Sequence, residues 1–129
     1  MAESKQPVQT DRAPAPAGPY SQAIRSGSLL IVSGQVGIDP ATGTAAGPDV
    51  AAQTRQALQN LFSIAEAGGA QPSDALRLGV FLADMGMFGE FNQVYEELVP
   101  PPRPARVTVG ASLAGWLVEI DGMFRADGD

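Results

Sequence analysis

Two residues carry most of the chemistry this sequence could do, Arg106 and Glu119. Arg106 stands where a stiff connector, with prolines at 100, 101, 102 and 104, meets the β-branched run Val107-Thr108-Val109. A guanidinium is always charged and grips a carboxylate in a two-pronged fork, a contact of roughly 1.5–3 kcal/mol. The prolines restrict how the chain enters the strand, which is the preorganisation an anion clamp requires. Glu119 lies in the last apolar run, Leu117-Val118-Glu119-Ile120. A carboxylate there can position water or pass a proton. The competing reading of this pair is an exposed ion-pair ladder with Asp121 and Arg125.

Other candidates are weaker taken singly. Helical spacing sets Asn92 beside Phe88 and Tyr95, where an amide either faces a ligand or is satisfied by backbone and water. Ser33-Gly34-Gln35 offers a hydroxyl, a pliable backbone amide and a side-chain amide, which can hold a small anion or simply make a turn. Tyr20, after Gly18-Pro19, is a core or interface residue on the simplest view.

What is missing narrows the chemistry further. The 129 residues include no histidine and no cysteine. That removes the commonest general base, thiolate ligands, cysteine nucleophiles and disulfides. No phosphate loop, zinc spacing, calcium loop or nucleophile elbow is present. With 14 acidic residues against 8 basic ones, the net charge of −6 disfavours nucleic acid as a partner. No apolar run approaches the ~18 residues a membrane span needs, and the N-terminus shows no secretory pattern, so a cytoplasmic protein is expected.

The elements that must position these groups follow from periodicity. Residues 1–14 read as a flexible tail and 15–129 as one domain. Two β-prone runs flank Ser26-Gly27-Ser28 as a hairpin, and 40–47 is a loop. Leu58, Leu61, Phe62 and Ala65 form one helical stripe within a helix from Pro48 to about Ala67. The apolar segment 75–84 belongs inside a sheet. A second helix spans Met87 to Leu98, with Asp84 as its only obvious entry residue. Strands over 106–111 and 117–125 complete the order ββαβαββ, an α+β domain with a mixed sheet and both helices on one face.

The segment 112–116 can join the last two strands as an antiparallel hairpin. Arg106 and Glu119 then share a face only in a register whose paired numbers sum to an odd value, such as 108 with 119. Periodicity leaves that register open.

The segments "APAGPYSQAI", "LLIVSGQVGIDPATG", "AAQTRQALQNL", "FNQVYEEL", "PARVTV" and "LVEID" together resemble the Rid/YjgF family of reactive intermediate deaminases, also known as L-PSP endoribonucleases or translation inhibitors. The resemblance implies a chorismate-mutase-like fold, a homotrimer with pockets between subunits, and hydrolysis of 2-imino acids to 2-keto acids and ammonia without metal or cofactor. It implies that Arg106 clamps the substrate carboxylate and that Glu119 serves the attacking water. Tyr20, Ser33, Gly34 and Asn92 match further pocket positions, with the backbone at Val107 near the imine nitrogen.

This sequence departs from the family pattern in three places. Val36-Gly37 replaces a typical Ile-Pro, a change expected to loosen the pocket wall. Val107 replaces a Ser or Cys, and the 112–116 connection is shorter and carries Trp116. Two rival functions remain from sequence: a trimer that senses a small carboxylate or binds a partner without catalysis, and a ribonuclease, against which the charge and the missing histidine argue.

Overall fold

The computed structural model describes residues 4–126. Helix α1 (Val50–Ala67) forms where the apolar stripe was expected, and it begins at Asp49, whose carboxylate accepts a hydrogen bond from the Ala52 N–H at 2.9 Å. Leu58 and Leu61 of that stripe, and Ile64 beside it, are fully buried, and each such burial stabilises the fold by about 1.5–3 kcal/mol. Helix α2 (Phe88–Leu98) follows a short 3₁₀ turn over Met85–Met87, which Asp84 caps through the Gly86 N–H at 2.8 Å.

The strands are β1 (Gln6–Val8), β2 (Ala23–Ser26), β3 (Leu29–Val36), β4 (Ile38–Asp39), β5 (Thr44–Ala45), β6 (Ala75–Leu82), β7 (Ala105–Gly110) and β8 (Val118–Arg125). Six of them make one sheet in the order β1-β2-β3-β8-β6-β7, and β4 and β5 form a separate small ribbon, with β5 inside the expected 40–47 loop and β4 just before it. Only β6 and β7 run parallel, because helix α2 provides the crossover between them. Leu30, Val32, Leu78, Val80, Ile120 and Phe124 face both helices in one core. The expected α+β class, mixed sheet and one-sided helical layer are all present.

Two expectations are corrected. Gln6–Val8, placed in the flexible tail, pairs with β2 as an edge strand, with Pro7 opposite Ile24. A proline is tolerated there because an edge strand need not donate on its free side. Ala13 is also buried, while the first three residues of the expected tail lie outside the described residues.

The second correction concerns the last two strands. They do not form a hairpin, because β6 lies between β7 and β8. Arg106 is in line with Leu78 and Gly122, whereas Glu119 is in line with Phe81, which pairs with Val109. Directly paired residues point to one face of a sheet, so Arg106 lies on the helical face and Glu119 on the open face. An ion-pair ladder joining these two residues is therefore also excluded.

Candidate active site

The Arg106 guanidinium rests among three rings of α2, with its central carbon 4.6 Å from the Tyr95 centroid, 5.4 Å from Phe91 and 5.7 Å from Phe88. Ring faces attract a cation without occupying its N–H donors. No carboxylate among the described residues forms an ion pair with Arg106. The cage thus holds the cation while leaving its fork available to an anion. Asn92, one helical turn from Phe88 and Glu96, lines the same hollow of about 430 Å³ together with Arg106 and Tyr95. The Tyr95 hydroxyl is buried without a hydrogen bond of ordinary geometry. Its pKa is raised by that burial, against the downward pull of Arg106 and then Arg103.

Glu119 faces a second, more enclosed cavity of about 170 Å³ on the open side of the sheet, shared with Tyr20, Gly34 and Trp116. Its pKa is raised, first by burial and then by the like charge of Asp121. The bulge in β3 after Val32 brings Gly34 against Glu119, and a Cβ at Gly34 would collide with the Glu119 carboxylate. Segment 14–17 closes the cavity from above. It is held by buried Gln22, whose Nε2 donates to the Pro14 carbonyl at 2.9 Å and whose Oε1 accepts from the Thr10 N–H at 2.8 Å. The Tyr20 hydroxyl accepts from the Ala17 N–H at 3.2 Å.

The residues singled out from sequence therefore fall into two groups. Arg106 and Asn92 share one hollow, while Tyr20, Gly34 and Glu119 share the other. Ser33 lies beside the second group, with its hydroxyl donating to the Ser21 carbonyl at 2.6 Å. Val107 is 41% exposed on the open face and lines neither cavity. Sequence reasoning did not find Gln22, nor the aromatic cage as a cage. The i, i+3 and i+7 spacing of Phe88, Phe91 and Tyr95 was its available signal, but that spacing equally describes a core stripe.

This fold recurs in known proteins. The crystal structure of Escherichia coli TdcF with bound serine superposes with a TM-score of 0.90 at 30% identity, covering 95% of this chain and 99% of that one. The family model described as Endoribonuclease L-PSP matches residues 10–125, and the chain belongs to this family, the Rid/YjgF proteins. Among its relatives, a RutC family protein of Sulfurisphaera tokodaii is 50% identical over 105 residues, 81% of this chain and 84% of that protein. The 2-iminobutanoate/2-iminopropanoate deaminase of Mus musculus is 38% identical over 118 residues, 90% of this chain and 87% of that protein.

Proposed function

We propose that this protein hydrolyses 2-imino acids of the 2-iminopropanoate and 2-iminobutanoate type, enamine tautomers included, to 2-keto acids and ammonia. It does so without metal or cofactor, as a homotrimer whose sites lie between subunits. The observation that carries this reading is the pairing of an uncommitted, caged Arg106 with a Glu119 of raised pKa, on opposite faces of one sheet. Each chain offers half a site, and a second chain supplies the other half. Exposed Ile31, Val107 and Val109 provide apolar surface for such an assembly to bury. The mouse relative named as a deaminase and the serine-bound neighbour support a small amino-acid-like substrate.

An imino acid is already electrophilic, so it needs anchoring and a proton relay more than a strong nucleophile. Arg106 holds the carboxylate of the substrate, with the Asn92 amide beside it. Glu119 takes a proton from water as the water oxygen bonds to C2, and the C=N π pair moves to nitrogen. Glu119 then returns the proton to the amine of the tetrahedral carbinolamine. The nitrogen, which entered as the protonated imine, leaves as ammonia with the C–N bonding pair, while the hydroxyl proton passes to the vacated Glu119 carboxylate as the keto group forms. A raised pKa suits Glu119 to both halves of this relay near neutral pH.

The test is turnover of 2-iminopropanoate generated in situ from alanine by an amino-acid oxidase. The wild type should accelerate ammonia release, Arg106→Ala should lose substrate affinity, and Glu119→Gln should lose kcat. Wild-type rates no higher than either variant's would overturn the reading. Thermal stabilisation by 2-keto acids without turnover would instead identify a carboxylate sensor.

A further inference from the structure

We propose that Trp116 decides which substrate side chains the Glu119 cavity admits. The inference rests on the deaminase reading and adds to it a specificity-determining residue. Trp116, Val36 and Ile38 line the cavity with Glu119, and Glu119 is the only ionised side chain in that lining. An anionic side chain entering here would meet the like charge of Glu119, while the cation that the second chain brings, Arg106, is taken up by the substrate's own carboxylate. This chain's share of the site is about 170 Å³, and its two walls are held in place by the contacts below, which disfavours long or branched groups.

What makes Trp116 a wall rather than a mobile flap is how it is seated. The chain turns through Ala114 and Gly115, both at positive φ (55° and 97°), and the Trp116 N–H donates to the Leu113 carbonyl at 3.1 Å. The next residue, Leu117, is pinned on both sides. Its N–H donates to Gln53 Oε1 at 3.0 Å, and its carbonyl accepts from the Ala83 N–H at 3.0 Å. Gln53 is only 5% exposed, and its Nε2 donates to the Gly47 carbonyl at 3.0 Å.

The Val36–Ile38 side of the cavity is anchored to the same glutamine. A Cβ on Gly37 would stand 2.6 Å from the Gln53 Cα, so only glycine lets this segment approach so closely. The wall at Val36-Gly37, expected from sequence to be loose, is therefore closely packed. Both sides of the cavity converge on one buried side chain of α1, and neither can retreat to admit a larger substrate. Two of the three places where the sequence leaves its family's pattern, Val36-Gly37 and the short 112–116 segment with Trp116, contribute Val36 and Trp116 to this cavity, while the third, Val107, lies outside it.

The Trp116 side chain transfers no proton in the proposed reaction, so its removal should change which imine is used rather than whether one is. The experiment compares kcat/KM for imines derived from alanine, leucine and glutamate in the wild type, Trp116→Ala and Trp116→Phe. The wild type should prefer the alanine-derived imine and use the glutamate-derived one least. Trp116→Ala should raise the leucine-to-alanine ratio at least about tenfold, and Trp116→Phe by less, with the glutamate imine still poorest. An unchanged ratio in a folded variant, or a wild-type preference for glutamate imine, would overturn the proposal. If Trp116→Ala does not fold, Trp116→Phe decides by the direction of its ratio.

Should the wild type turn over none of these imines, the deaminase reading fails and the wall is read by binding. Trp116 is the only tryptophan of the chain, so its fluorescence reports on this cavity. A response to 2-oxopropanoate stronger than that to 4-methyl-2-oxopentanoate supports the selective wall. Equal responses, or none, contradict it.

Discussion

Arg106 and Glu119 stand on opposite faces of one sheet, with β6 between the strands that carry them. Arg106 points into the helical layer, against Tyr95 at 4.6 Å, while Glu119 points into the cavity under segment 14–17. A small imino acid cannot span the sheet between them. The two residues can act on one substrate only if they come from different chains, which is why the proposed function requires an assembly. Within one chain the same separation leaves the guanidinium away from the carboxylate, whose pKa is raised by burial and then by Asp121.

The aromatic cage should govern affinity rather than chemistry. Phe88 is 38% exposed, so Phe88→Leu should leave the fold intact while removing one ring from Arg106. A cation–π contact of about 0.5–1 kcal/mol corresponds to a KM increase of roughly two- to fivefold, with kcat nearly unchanged. Tyr95→Phe keeps the ring and should retain wild-type KM, whereas Tyr95→Leu should raise it more than Phe88→Leu does. Steady-state kinetics on 2-iminopropanoate checks the series. An unchanged KM in Tyr95→Leu would show that the rings do not hold the clamp.

Glu119 should cost the fold stability at neutral pH. Its folded pKa is raised, so the folded state holds a proton that the unfolded chain releases at lower pH. Stability contributed by this group is present below the ordinary carboxylate range and declines as pH rises through the raised pKa. Glu119→Gln should therefore have a higher Tm than wild type at pH 7, with the difference fading toward the acid side. Asp121→Asn removes the like charge that is the second cause of the shift, so the acid limb of the activity profile should move to lower pH. Thermal melts and pH–rate profiles measure both effects.

Gly34 should be intolerant of even one methyl group. The added Cβ of Gly34→Ala would displace the Glu119 carboxylate, and a misplacement of this kind costs about 10²-fold in rate. We expect kcat to fall by about that factor while Tm changes little, because the strain is relieved by a side chain turning away. A variant with wild-type kcat would remove Glu119 from the proton relay.

The separation of the clamp from the carboxylate was not legible in the sequence, and the reason is topological. The alternation of Arg106 with Val107, and of Glu119 with Ile120, is correct strand by strand. Which face each set takes depends on β6 inserting between two strands that follow one another in the chain. Only long-range pairing decides that. Local patterns read well where local physics rules, as in the Leu58–Leu61–Ala65 stripe of α1 and the Asp84 cap before α2. They failed at Gln6–Val8, where Pro7 reads as a breaker and the strand exists because β2 offers an edge. The role of Trp116 was equally hidden, because the loop geometry and Gln53 bring it to Glu119 from well separated parts of the chain.

The central claim is that each active site draws Arg106 from one chain and Glu119 from another. Arg106→Ala and Glu119→Gln, each inactive alone, should be unfolded together in equal amounts and refolded as mixed assemblies. Every site then draws its two residues from independent chains, so about a quarter of the sites should be whole and about a quarter of wild-type deaminase activity should return. A mixture as inactive as its parents, alongside wild-type protein that regains full activity after the same treatment, would contradict the account.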